Sequence, residues 1–290
     1  MRSEMSWDIL KAFARMVLTF VLGVLLFRLA ILGLARFSDE TQSLGSLFSG
    51  ELFYSLRAAD WLSNLHRIGA TTLMVMVAFL WSGLLSILIG FKLSQRPFPR
   101  LWEIPSFLAV LLSGLPIFVM GLALWSLLRP DSTLGASLAT TNVKLLLGGI
   151  ILGSCEGALG EWPRSIRALL SGLQNDTYFL ATRARGQSTA GIVFRAIRSY
   201  LVQTIPTRLS YLFGGVIIVE YTIGYEACGY DLMNCIVGDR TAERLYGYRD
   251  AMVAGMLIML TPLLLRFGFA CIRAFAGHYT TGNMAGGQRA

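Results

Sequence analysis

The chain has 290 residues, of which 54% are hydrophobic and only 14% charged, with a mean hydropathy of +0.60 and a net charge of +8. A soluble domain carries about 25% charged residues, so this composition excludes an ordinary water-soluble globule and points to a polytopic helical membrane protein. Four cysteines are too few and too scattered for a disulfide scaffold, and 30 Gly with only 8 Pro and no repeat exclude a collagen-like chain.

About 20 apolar residues cross a hydrocarbon core about 30 Å thick. Six segments approach that length, near 16–35, 70–91, 105–128, 145–160, 209–224 and 251–272. Arg2, Lys11 and Arg15 precede the first segment, but its apolar run is about 20 long and lacks a small-residue cleavage site, so a retained anchor is expected. The fourth and fifth segments are short and rich in glycine (Gly148, Gly149, Gly153, Gly157, Gly214, Gly215), and they carry Glu156 and Glu220. Short, polar, small-residue helices belong inside a bundle rather than against lipid. The expected organisation is an anchor helix with an outer loop over 1–69, a core of five helices over 70–276 and a tail over 277–290.

The loops sort the charge. Segments 1–15, 92–104, 161–208 and 273–290 hold 15 Lys/Arg and 5 acids, whereas 36–69, 129–144 and 225–250 hold 8 and 10. With an even number of spans, the positive-inside rule places both termini in the cytoplasm. The net charge therefore reports orientation and calls for no nucleic-acid partner. Arg28, Arg266, Glu156 and Glu220 remain within the spans. Glu156 and Arg266 could pair across the bundle, or Arg266 could snorkel; Arg28 reads as a snorkelling residue or a helix contact. Cys228 and Cys235 lie seven positions apart in one polar loop and could pair outside the membrane, although spacing alone does not join them.

Catalytic chemistry is missing from the pattern. None of Lys11, Lys92 and Lys144 follows a glycine, which removes the phosphate-cradling Gly-Lys-Ser/Thr of a P-loop. His66 and His278 fall in loops on opposite sides, so they share neither a metal nor a base role. No catalytic residue, metal site or cofactor of the chain's own is expected, and a carrier, channel or scaffold is favoured over an enzyme.

The 161–208 segment is the largest cytoplasmic element and holds 7 Arg. Arg164, Arg167, Leu170 and Leu173 recur at helical spacing, as do Ile192, Ile197, Leu201 and Ile205. Gly186 interrupts the pattern, and Ser188 then reads as the N-cap of a short amphipathic helix along the membrane surface. Such a basic knob is either ordinary positive-inside charge or a docking surface.

The order of residues from Tyr178 through Arg183, Ala184, Arg185, Gly186, Gln187 and Ser188, then Arg195 and Pro206, resembles the signature loop of inner-membrane permease subunits of binding-protein-dependent ABC importers. It is nearest the dipeptide, oligopeptide and nickel branch. Thr71-Thr72-Leu73 with Gly90 is similar to that family's second span, and Ser113-Gly-Leu-Pro116-Ile-Phe118 to its third. Gly214 to Glu220, followed by Gly224 and Gly229, resembles its fifth span and outer loop. Gln187 in place of Leu, Ala196 in place of His, Ala227-Cys228 in place of Pro-Gly and a longer 231–250 connection depart from the pattern.

The resemblance implies an all-α type I permease with six transmembrane helices in the cell inner membrane. It implies coupling through Tyr178, Arg183, Ala184, Arg185, Gly186, Gln187, Ser188 and Arg195, and a translocation path or gate at Pro116, Phe118, Glu156 and Glu220. The implied partners are a second permease chain, two P-loop ATPase subunits that bind the ATP and Mg, and an external substrate-binding protein. The implied cargo is a peptide or related small solute; a nickel or metal-chelate permease, and beyond it a secondary transporter or channel, stand as alternatives.

Overall fold

The computed structural model describes residues 2–37, 61–94, 103–127, 140–155, 158–237 and 248–286. Among the described residues all regular structure is helical. The helices are α1 (Arg2–Phe37), α2 (Trp61–Ser94), α3 (Glu103–Ser113), α4 (Ile117–Leu127), α5 (Thr141–Ser154), α6 (Ala158–Gln174), α7 (Thr177–Ala184), α8 (Ala190–Ile223), α9 (Cys228–Val237) and α10 (Tyr248–Gly286). The chain divides into two compact units, Met1–Asn64 with Asn234–Ala290, and Leu65–Met233.

Four helices, α1, α2, α8 and α10, are each long and apolar enough to cross a bilayer, and the count reaches six if each of two bent helix pairs is one span. The chain is thus a multi-pass helical membrane protein. The two bent pairs fall at the third and fourth of the six expected spans. The segment expected at 105–128 is α3 and α4, two helices of 11 residues each, bent by 101°. At 1.5 Å per residue each measures about 16 Å, half of a bilayer core. The break falls at Gly114-Leu115-Pro116, where proline supplies no N–H and disfavours helical geometry in the residue before it. Pro116 instead opens α4, its carbonyl accepting from the Val119 N–H at 3.1 Å.

The segment expected at 145–160 ends as a helix at Ser154, and α6 continues at an angle of 57°. In α6, Leu159, Trp162, Ile166 and Leu170 are buried while Arg164, Arg167 and Ala168 are exposed. It is an amphipathic helix, so the first third of the expected cytoplasmic loop is a packed element. The segment expected at 209–224 is the last part of the 34-residue α8. Consequently no separate surface helix follows Gly186: the helix starting at Ala190 runs through Pro206 into the span. Hydroxyls of Thr204 and Ser210 donate to the carbonyls of Tyr200 and Pro206 within this stretch of the helix.

Within the Leu65–Met233 unit, α5 lies between α2 and α8 because its glycines allow close approach. A Cβ at Gly148 would stand 2.8 Å from Ile223 Cδ1, one at Gly149 would stand 2.6 Å from Val77 Cγ1, and one at Gly153 would collide with the Ala78 backbone carbonyl. Met74, Val75, Ala78, Val216 and Val219 close this core with no exposed surface. Apolar transfer does not hold helices together in lipid, so small-residue packing of this kind carries the association. In the other unit α1 packs on α10, with Phe13 edge-on to Phe267 at 5.8 Å between ring centres.

Candidate functional site

Two places gather the polar groups of the Leu65–Met233 unit. The first is the α6–α7–α8 corner. Asp176 caps α7, its Oδ1 accepting from the Tyr178 N–H at 2.9 Å. Phe179 and Thr182 turn inward and are buried, which anchors this eight-residue helix on α6. The helix ends at Gly186, whose φ is +70°. There the Gly186 N–H donates to Arg183 O at 3.0 Å and the Gln187 N–H to Thr182 O at 3.1 Å. These paired bonds form a Schellman motif, which requires a left-handed residue and explains glycine at this position.

The motif leaves Arg183, Ala184, Arg185, Gly186, Gln187 and Ser188 exposed as one ridge, beside Tyr178 at 63% exposure. The ridge continues onto the first turns of α8, where Arg195 and Phe194 are exposed and Ile192, Val193, Ile197 and Leu201 are half-buried. Ser188 is not the N-cap itself; that position is Thr189, and Ser188 Oγ accepts from the Ala190 N–H at 3.4 Å. An ion pair between Arg208 and Glu161 at 2.5 Å, with the Arg208 guanidinium 5.6 Å from the Trp162 ring centre, fastens α8 to α6 behind the corner. The result is a cationic, partly aromatic projection.

The second place is the far end of α8. Glu220 is fully buried, and its Oε2 accepts from the Gly229 N–H at 2.7 Å. α8 stops at Gly224 with φ +62°, and the Tyr225 N–H turns back to Glu220 O at 2.9 Å. Lys144 Nζ donates to Gly224 O at 3.0 Å, the Cys228 N–H donates to Thr71 Oγ1 at 3.2 Å, and Arg67 pairs with the buried Asp231. Residues of α2, α5, α8 and α9 are thereby tied into one buried polar cluster. Gly229 is obligatory for it, since a Cβ would stand 2.6 Å from Glu220 Oε2 and 2.7 Å from Ile217 Cα.

The structure brings Tyr178, Arg183, Ala184, Arg185, Gly186, Gln187, Ser188 and Arg195 together at the first place and puts Glu220 at the second. Pro116 and Phe118 are exposed at the α3–α4 bend. Glu156 lies outside the described residues, as does the Arg28 side chain, so the expected Glu156–Arg266 pair cannot be described; Arg266 is exposed on α10. Half of the extended connection within 231–250, residues 238–247, is likewise outside them. Cys228 is a free, buried thiol. A shared helix explains why it is not paired: seven residues along α9 set the Cys228 and Cys235 Cα atoms about 10 Å apart, beyond disulfide reach. Burial first, and then the carboxyls of Glu220 and Asp231, push the Cys228 thiol up to about 12.

Arg67, Lys144, Thr71 and Asp231 were not legible as site residues, because their partners are distant in sequence, 164 positions for Arg67 and Asp231. Asp176 carried a readable signal, a capping residue just ahead of a helical stretch. The sequence matches no protein-family model and no curated protein.

Proposed function

We propose that the chain is a transmembrane permease subunit of an ATP-driven ABC importer in the cell inner membrane. It would form half of a path for a peptide or related small solute, with both termini in the cytoplasm. The ridge from Tyr178 to Ser188, with Arg195, would dock on separate ATPase subunits that supply ATP and Mg. The buried cluster around Glu220 would lie at the external end, where a substrate-binding protein delivers its cargo. A second, different permease chain would complete the path.

The observation that carries this reading is the exposed basic ridge built on a short, capped, buried-anchored helix and a glycine turn. A loop that merely oriented the chain would need the charge but not the Asp176 cap, the Phe179 anchor or the Schellman bonds. Closure of two ATPases would push on such a rigid element, and the continuous α8 would carry the displacement toward Glu220.

The test is purification of the full chain from its native membrane with its bound subunits. An associated P-loop ATPase with vanadate-sensitive hydrolysis is expected, and Arg183→Glu with Arg185→Glu should release it while the chain still reaches the membrane. An ATPase that remains bound and fully active on the doubly substituted chain would refute the docking role.

A further inference from the structure

Where α2, α3 and α6 meet, a cavity of about 330 Å³ is lined by both apolar and cationic side chains. Its apolar part is Ile89 of α2, Phe107 and Ala109 of α3 and Leu159 of α6, with Ile89, Ala109 and Leu159 each at most 5% exposed. Two close approaches define its walls. A Cβ at Gly90 would stand 2.8 Å from Ile166 Cγ2, and one at Gly160 would stand 2.7 Å from Ser113 Oγ. The helices therefore meet tightly on either side of a space that they do not fill.

Arg164 and Arg167 also line this cavity. Three residues apart on α6, they share one helix face, both are exposed, and among the described residues neither forms an ion pair. The cavity is lined by Leu93 near the end of α2 and by the first turns of α6, and in the sequence the segments 92–104 and 161–208 hold 3 and 7 Lys/Arg. By the positive-inside rule this is the face toward an anionic leaflet.

We propose that this cavity binds an anionic phospholipid, its phosphate held by Arg164 and Arg167 and the first part of one acyl chain laid against Ile89, Phe107 and Ala109. Guanidinium groups hold phosphate oxygens in paired hydrogen bonds. A zwitterionic lipid such as phosphatidylcholine offers its phosphate with a choline cation beside it, which two guanidiniums repel, and a water-soluble phosphate would leave the apolar wall wet. The volume is at the low end of the about 300–1,000 Å³ of ligand cavities, which suits a headgroup region and part of a chain. The proposal rests on the membrane character of the chain and on its positive-inside orientation, not on the transport reading.

Native mass spectrometry of the full chain in neutral detergent tests it, with dioleoyl phosphatidylglycerol, dioleoyl phosphatidylcholine and inorganic phosphate as probes. Phosphatidylglycerol should be retained about tenfold or more over phosphatidylcholine. R164Q with R167Q should weaken it about 30-fold, near fivefold for each charge, while R198Q, an exposed arginine outside the cavity, should leave it unchanged. Val110→Trp, which fills the cavity from a 44% exposed position, should weaken it with both arginines in place. Equal retention of the two lipids, an R198Q loss matching the double variant, full retention by Val110→Trp, or displacement by millimolar inorganic phosphate would each overturn the site.

Discussion

Gly186 offers the sharpest test of how local backbone geometry builds the basic ridge. Its φ of +70° is left-handed, and a Cβ added there meets no atom within 4 Å. Substitution therefore acts through the backbone alone. An L-residue in this region loses about 1–2 kcal/mol, which shifts the population of the turn by about 5–30-fold. Asparagine tolerates the left-handed region better than alanine, and a β-branched residue tolerates it least. Gly186→Asn, Gly186→Ala and Gly186→Val should thus lose the turn in increasing order. Hydrogen exchange reads it directly, because the Gln187 N–H is held only while the Schellman bond to Thr182 O is closed. Exchange at Gln187 should speed up about 5–30-fold in Gly186→Ala, while the Leu180 N–H, bonded to Asp176 O within α7, should change far less. Unchanged exchange at Gln187 in Gly186→Ala, or an asparagine variant no better than the alanine one, would refute the reasoning.

Three further outcomes follow from the packing. Gly153→Ala places a methyl against the Ala78 carbonyl and should destabilise the protein by about 1–3 kcal/mol, whereas Gly172→Ala, with open space around it, should gain about 0.4–1 kcal/mol; thermal melts in detergent that rank the two the other way would contradict the α2–α5 contact. At pH 8 a thiol with a pKa of about 12 is about one part in ten thousand thiolate, so Cys228 should resist maleimide until the chain is denatured; labelling of the native protein at Cys228 would show that it is not buried. Arg67→Ala strips the cation from Asp231, whose side chain is 3% exposed, and should lower stability by about 2–3 kcal/mol. Adding Asp231→Asn should recover part of that loss, and a chevron or melt showing additive losses would argue against the ion pair.

Much of the ridge was legible from local sequence. Asp176 before a helical run, Gly186 after it and the arginines between them each carry a mechanism that acts within a few residues: a side-chain cap, a left-handed turn and exposed charge. The glycine turn and the arginines are read correctly from the sequence, whereas the Asp176 cap is not singled out and the cap read at Ser188 falls at Thr189. The course of the chain beyond Gly186 was less legible. Ser188 reads as the cap of a short surface helix, yet α8 runs from Ala190 to Ile223 without interruption. Packing of α8 on α4, α5 and α6 holds the helix in one piece.

The buried cluster at Glu220 was legible only at its glutamate. Its other members come from three further helices, α2, α5 and α9, and from the Gly224 turn, and nothing within a few positions of Thr71 or Lys144 announces a partner at Cys228 or Gly224. The α3–α4 break shows the same division. Gly114-Leu115-Pro116 announces that a helix must stop, but the 101° between the halves depends on α6 beneath α3 and α8 beneath α4.

By itself, then, the sequence determined the solvent, the helical class, the apolar segments and the sorting of charge along the chain, because transfer free energy and backbone preference are properties of each short stretch. The tertiary structure decided which apolar segments cross as straight helices and which bend, which glycines are contact points, and which charges meet. Those outcomes depend on atoms brought within a few ångströms from positions far apart in the chain.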